Sequence, residues 1–241
     1  MASGRSALGS AKRAYAASLR TLGTGLTRAG LADDEPPPLD QRWRHWAHSL
    51  TRVHDSLAMA RLDVPWWTYA AIAEVDAWLA ARERPVRVFE YGSGASTLWL
   101  ARRAQQVHSV EHHRGFGEMM RAELAAYPQV SLRIVEPVRS DHPAIGSRKE
   151  GHAGLDFAAY VAAIDDVAGD FDLVVVDGRA REACLRAAMG RLAPDGLIVF
   201  DNSRRRRYRD AIAASGLSER VLRGLTPTLP YPEQTSLLTK G

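Results

Sequence analysis

Two rhythms of apolar residues alternate along most of this chain. Short runs dense in Val, Ile, Leu and Phe occupy residues 86–89, 106–110, 130–135, 171–176 and 197–200, with the length and bulk of strands. Between them, apolar residues recur three and four apart over about 96–103, 115–127, 155–168 and 182–192, the spacing of a helix face. A basic helical stretch, about 204–214, precedes two weaker strand candidates at 220–225 and 235–239. Strands alternating with helices predict an α/β domain built on a doubly wound parallel sheet. The strand at 171–176 carries a continuous apolar run over 173–176, as a strand covered on both faces should. Residues 193–196, Ala-Pro-Asp-Gly, read as a turn before the strand at 197. The polar stretch 136–154 is long for a connection in such a fold and predicts a lid over a pocket.

The N-terminal part has a different texture. Residues 1–32 hold Arg5, Lys12, Arg13, Arg20 and Arg28 but no Asp or Glu, with Tyr15, Leu19, Leu22 and Leu26 at helical spacing. A transit-type presequence, a peripheral membrane helix and a helix packing on its own domain all fit that pattern; Gly23, Gly25 and Gly30 weaken a free-standing helix and favour the last. Residues 33–38, acidic and then proline-rich, form a linker. A helix over about 39–61 carries Trp43, Trp46, Leu50, Val53 and Leu57 as a stripe for core contact or, alternatively, a homodimer seam. Pro65 then opens a third helix, whose adjacent Trp66 and Trp67 stand ready to wall a pocket. The expected division is a helical extension over 1–62 and one catalytic-type domain over 63–241.

Composition narrows the setting. Hydrophobic residues make up 46% of the 241, enough for a sizeable core. The net charge of +4 collects in arginine clusters and suits an anionic substrate as readily as a nucleic acid. The single cysteine, Cys184, excludes an internal disulfide and points to a reducing, cytoplasmic compartment. No apolar run approaches the ~20 residues of a membrane span.

The candidate chemistry starts at residues 86–100. A short strand breaks at Gly92 and Gly94, which permit a tight turn and let a ligand lie against bare backbone. Ser96 or Thr97 can cap the helix that follows. A dinucleotide fingerprint would place a third glycine at Thr97. Glu90 is expected to project over the turn, where a carboxylate repels a pyrophosphate and suits a cationic amine. Glu111, ending the next strand, is placed for two ribose hydroxyls. An ammonium group, a ribose and no phosphate describe S-adenosylmethionine. The polar residues that end successive strands, Glu90, Glu111, Glu136, Asp177 and the pair Asp201-Asn202, should converge on one edge of the sheet.

With those residues in view, the chain resembles the class I S-adenosylmethionine-dependent methyltransferases from about Asp63 to its end. The likeness is carried by residues 65–69 (Pro-Trp-Trp-Thr-Tyr), 89–99, 109–112, 172–181 and 196–202. It implies a Rossmann-like, mostly parallel sheet of seven strands with the last antiparallel. It also implies cofactor contacts at Trp67, Thr68, Glu90, Gly92, Ser93, Gly94, Ser96, Thr97, Glu111, His112, Glu136 and Asp177. Ser96 stands where many members have a third glycine. One subset of the family methylates oxygen with a divalent metal, using an Asp after the fourth strand and an Asp-Asn pair after the fifth. Asp177, Asp201 and Asn202 match that pattern, which implies Mg²⁺ or a similar ion. The competing reading is that Asp177 and Asp201 cap loops. Asp177 alone is a candidate base.

The expected reaction is methyl transfer to a small-molecule hydroxyl. The alternatives are N-methylation and a non-catalytic nucleotide-binding scaffold. Nucleic acid is disfavoured because the Asn/Asp-Pro-Pro-aromatic signature is missing. Arg179, Arg181, Arg204–Arg207 and Arg209 read either as a solvated face or as a site for an acceptor's carboxylate or phosphate. His112, His113, His142 and His152 are candidate bases with no sequence partner that singles one out.

Overall fold

A computed structural model describes residues 35–52, 59 and 62–241. The expectations for residues 1–34, and for Val53 and Leu57 in the helical stripe, lie outside the described residues. The elements are α1 (Arg42–Arg52), α2 (Tyr69–Ala80), β1 (Arg87–Tyr91), α3 (Ala95–Ala101), β2 (Gln106–Glu111), α4 (Arg114–Leu124), β3 (Val130–Ile134), β4 (Val138–Arg139), β5 (Leu155–Asp156), α5 (Ala158–Ala162), β6 (Phe171–Val176), α6 (Arg181–Arg191), β7 (Leu192–Asp201), α7 (Arg206–Ala214), β8 (Ser218–Gly224) and β9 (Glu233–Thr239).

Seven strands form one sheet in the order β3-β2-β1-β6-β7-β9-β8. The first five of these pair in parallel, and β9 runs antiparallel to both of its neighbours. Strand order reverses between β1 and β6. There the connections after the two strands leave to opposite faces and open a crevice at the carboxyl ends. Alternation along β6 feeds both layers: Val174 and Val176 join Tyr91, Tyr160 and Phe200 on one side, while Leu173 and Val175 join Trp67, Ile72 and Trp99 on the other. This two-sided burial is why residues 173–176 read as an unbroken apolar run.

Three elements differ from the sequence reading. The expected helix at 155–168 is cut short, because Leu155–Asp156 pairs with Val138–Arg139 as a small hairpin. Asp156 then holds the bend with its carboxylate, accepting from the N–H groups of Ala144, Ile145 and Ala158. The long loop thus has a zipped base. Residues 193–196 are absorbed into β7 as an irregularity, where Phe171 faces Leu192 but Leu173 faces Leu197. On α1 the expected stripe is displaced. Trp43 is 70% exposed, while His45 and Ser49 turn inward. His45 Nδ1 lies 2.7 Å from the Tyr69 hydroxyl, and Ser49 Oγ accepts from Thr228 N–H at 2.9 Å. Polar docking, with Trp46 Nε1 donating to the Leu229 carbonyl at 2.9 Å, fixes that helix. No described helix is long and apolar enough to cross a membrane.

Candidate functional site

Gly92 ends β1 in the left-handed region at φ +96°. A Cβ there would stand 2.7 Å from Gly178 Cα, so the turn after β1 and the turn after β6 touch backbone to backbone. Gly94 N–H donates to Thr97 Oγ1 at 2.9 Å, closing the turn onto α3, whose residues are all buried. Glu90 occupies a different place from the one expected. Its carboxylate lies beneath the turn, fully buried, and accepts from Ser96 Oγ and Thr97 Oγ1 at 2.5 Å each and from Ser109 Oγ at 2.7 Å. Strand pleating explains the correction: Glu90 and Ser109 are register partners on the face that α3 covers. Burial pushes the Glu90 carboxyl up to about 7, against the pull of the hydroxyls. Ser96 and Thr97 are therefore props for the turn, acting through Glu90.

Glu111 stands at the tip of β2 and is 3% exposed. Its Oε2 accepts from Ser93 N–H and Oγ, and its Oε1 accepts from His113 N–H at 2.8 Å. His112 Nδ1 lies 2.8 Å from Oε1, although not aligned as a hydrogen bond. Burial pushes this carboxyl up, but His112 and the backbone donors overcome it and hold the group below the usual range. Glu111 is thus an ionised acceptor joining the glycine turn to the end of β2. Beside it, the rings of His112, His152, Phe157 and Tyr160 form an aromatic shelf in which His112 and Phe157 each lie 5.8–6.0 Å from the other three. His152 comes from the long loop and was not singled out by spacing. Its part in the shelf needs the β4–β5 hairpin to be known.

The carboxyl ends of β6 and β7 bring Asp177 and Asp201 together, with Arg181 between them. The Arg181 guanidinium donates to Asp177 Oδ1 at 2.6 Å, to the Asp177 carbonyl at 2.7 Å, to the Gly178 carbonyl at 3.1 Å and to the Asp201 carbonyl. It also lies 3.7 Å from Asp201 Oδ2. Asp201 Oδ1 accepts from Thr235 Oγ1 at 2.9 Å. The structure brings Asp177 and Asp201 of the expected metal set together around Arg181. A buried arginine already supplies the positive charge between the two carboxylates, and a divalent ion there would meet a guanidinium. Asn202 sits in the left-handed region at φ +52° and turns the chain toward α7. No group of three or more His, Cys, Asp or Glu among the described residues is arranged to hold a metal. Burial raises the Asp177 carboxyl, with Arg181 and Arg179 pulling it back down. Asp201 is pushed up to about 7 by burial and by the charge of Asp177.

Next to this trio is a cavity of about 110 Å³ whose lining includes Arg148, Lys149, Arg179, Arg181, Arg205 and Arg207, with Glu182 the one acidic member. The Arg179 Nε is buried and has no hydrogen-bond partner among the described residues. Arg148 and Lys149 belong to the long loop and were not expected at the site.

Three expected cofactor contacts do not join it. Trp67 is fully buried in the opposite layer, edge-on to Trp99 with ring centroids 5.7 Å apart. Thr68 is fully buried as the cap of α2, accepting from Ala71 N–H at 3.3 Å. Their nearness to the glycine turn in sequence is undone by α2, which packs by β8 and β9. Glu136 follows β3 but is an exposed partner of Arg114 at 2.8 Å.

The residues that do converge fit an adenosyl cofactor without phosphate. The Gly92–Gly178 contact is a cradle that any Cβ would fill, and Glu111 offers an anionic acceptor for hydroxyls. Fold and site together define an S-adenosylmethionine-dependent methyltransferase, an enzyme. Residues 89–203 match the family model described as a methyltransferase domain, consistent with the class I S-adenosylmethionine-dependent methyltransferases that the sequence resembles. Among solved structures it is similar to the O-methyltransferase TomG from Streptomyces achromogenes, involved in tomaymycin synthesis and solved with S-adenosylmethionine. That match has a TM-score of 0.56 at 19% identity over 87% of this chain and 100% of that one. A precorrin-6y C5,15-methyltransferase from Geobacter metallireducens GS-15 matches with a TM-score of 0.50 at 16% identity over 71% of this chain and 88% of that one. Such likenesses show the fold. No curated protein matches the chain.

Proposed function

We propose that this enzyme methylates a hydroxyl oxygen of a small, negatively charged acceptor, with Asp177 as the proton-accepting group and Arg181 in the role that a metal ion fills in other members. One observation carries the reading: Asp177 leaves the end of β6 directly across the touching glycines from the turn after β1, and Arg181 fixes its carboxylate at 2.6 Å. S-adenosylmethionine, when bound, would supply a sulfonium methyl for transfer to the acceptor oxygen, the sulfur departing as a thioether. The turn at residues 92–94 positions the donor by bare backbone. With the cofactor bound, Glu111 would accept from the ribose hydroxyls, and His112, in the aromatic shelf, would stand beside the base. Glu90 supports the turn from below. Asp177, raised by burial, accepts the hydroxyl proton more readily than an exposed carboxylate would. The excess of arginine around the adjoining cavity supports an anionic acceptor. A cytoplasmic setting suits the lone, buried, unpaired Cys184.

The test is a methyl-transfer assay with labelled S-adenosylmethionine over hydroxylated and aminated small anions, run in EDTA. Transfer to a hydroxyl, with Asp177→Asn losing about 10²–10⁴-fold in rate, is the expected result. Transfer confined to amines, or an undiminished rate in Asp177→Asn, would overturn the proposal.

A further inference from the structure

The cavity beside Asp177 is a meeting point of two helix N-termini. Helix α6 opens at Ala180 in the left-handed region, φ +49°, and α7 opens at Arg205; neither has a capping side chain. First-turn N–H groups at both ends therefore lack a side-chain acceptor, and both carry the positive end of the peptide dipole. Arg205 and Arg207 come from α7, Arg179 precedes α6, and Arg148 and Lys149 enter from the long loop. Arg181 is committed to Asp177 and to backbone carbonyls, and Arg207 donates to the Tyr208 hydroxyl at 3.0 Å. Arg179 presents a buried Nε with no partner among the described residues.

Size and direction select the anion. The cavity is small and lined mostly by cationic side chains, a setting that suits one phosphoryl group. A planar carboxylate is satisfied by one guanidinium fork, whereas donors here arrive from a loop and two helix ends, as the oxygens of a tetrahedral group require. We propose that the cavity binds a phosphate monoester carried by the methyl acceptor, seated between the starts of α6 and α7 and held by Arg179 and Arg205. The proposal rests on the anionic-acceptor reading above and names the acceptor as a phosphorylated small molecule. A polynucleotide calls for an extended groove that tracks its backbone.

Calorimetry with inorganic phosphate, acetate and a short single-stranded oligonucleotide tests it, with S-adenosylhomocysteine titrated separately. Phosphate is expected to bind one to one and at least tenfold tighter than acetate. Arg179→Gln and Arg205→Gln should each weaken it at least fivefold, and Arg220→Gln, which removes a charge paired with Glu74 elsewhere, should not. Acetate binding as well as phosphate, all three variants behaving alike, or the oligonucleotide binding tighter than phosphate would overturn the assignment. S-adenosylhomocysteine binding unchanged in the Arg179 and Arg205 variants keeps the two sites separate. Loss of phosphate binding alone sinks this inference, whereas failure of S-adenosylhomocysteine to bind wild type sinks the cofactor reading instead.

Discussion

Gly92 and Gly178 meet backbone to backbone at the strand-order reversal, with the Cβ position of one 2.7 Å from the Cα of the other. Gly178 is the tighter of the two, since its own Cβ would lie 2.0 Å from the Tyr160 hydroxyl and 3.0 Å from the Tyr91 carbonyl oxygen. Tyr160 is buried in the core and cannot swing away, so the backbone turns must separate. Gly178→Ala is expected to lower stability by about 1–3 kcal/mol, the range for overpacking. It should also weaken S-adenosylhomocysteine binding at least tenfold by displacing the turn at Gly92. Gly190→Ala is the control: nothing lies within 4 Å of its Cβ position in α6, and alanine there should stabilise by roughly 0.5–1 kcal/mol. Denaturant unfolding and calorimetry read both. Normal cofactor affinity in Gly178→Ala would show that the glycine contact does not shape the site.

Arg181 holds the buried Asp201 and the partly buried Asp177, two carboxylates that would otherwise face each other without a cation. Arg181→Met is expected to cost about 3–5 kcal/mol, the penalty for breaking a buried ion pair. Adding Asp201→Asn should recover part of it by removing one of the stranded charges. EDTA should leave wild-type turnover unchanged and Mg²⁺ should not raise it. A requirement for a divalent ion, or an Arg181→Met protein as stable as wild type, would reverse the assignment of positive charge to this side chain.

The Glu90 carboxyl is raised from 4.5 to about 7 by burial. The folded state therefore holds a proton that the unfolded chain gives up in that interval. The stabilisation is complete below about pH 4.5 and is lost as pH rises through about 7. Glu90→Gln removes this titration. Between pH 4.5 and 7 the wild type should lose roughly 3 kcal/mol relative to the variant, at 1.36 kcal/mol per pKa unit. Parallel pH–stability curves for the two proteins would show that Glu90 does not titrate in this window.

What the sequence disclosed divides by the range of the interaction. The strand-end places of Gly92, Gly94, Glu111 and Asp177 were legible because strand, turn and helix follow within a few residues and the strand-end rule needs only topology. The placement of β9 between β7 and β8 needs long-range pairing, and single-sequence patterning left both as weak candidates. Trp67 and Thr68 misled because nearness in sequence to the glycine turn says nothing about which layer α2 joins. The pattern of strand-end acids suggested a cation among them, and Arg181 lies between Asp177 and Asp201; sequence position alone left that side chain facing the acceptor. Arg148 and His152 could be placed only after the hairpin β4–β5 closed the loop that carries them.

Glu111 gives the sharpest test of the cofactor site because its two roles separate by substitution. Its carboxylate ties Ser93 and His113 N–H groups and, on the present reading, accepts from the ribose hydroxyls. Glu111→Gln keeps one acceptor oxygen and the side-chain volume but replaces the other oxygen with a donor and removes the charge. Glu111→Ala loses every contact and leaves the Ser93 and His113 N–H groups without their acceptor. Binding of S-adenosylhomocysteine should weaken by about 1–3 kcal/mol in Glu111→Ala, the cost of leaving polar partners unpaired, and by less in Glu111→Gln. Adenine alone, which has no ribose, separates the two roles: a contact limited to the hydroxyls leaves its affinity unchanged in Glu111→Gln, whereas a collapsed turn lowers it. Equal loss for adenine and S-adenosylhomocysteine in that variant would mean that Glu111 serves only the turn, and unchanged S-adenosylhomocysteine affinity in Glu111→Ala would remove it from the site.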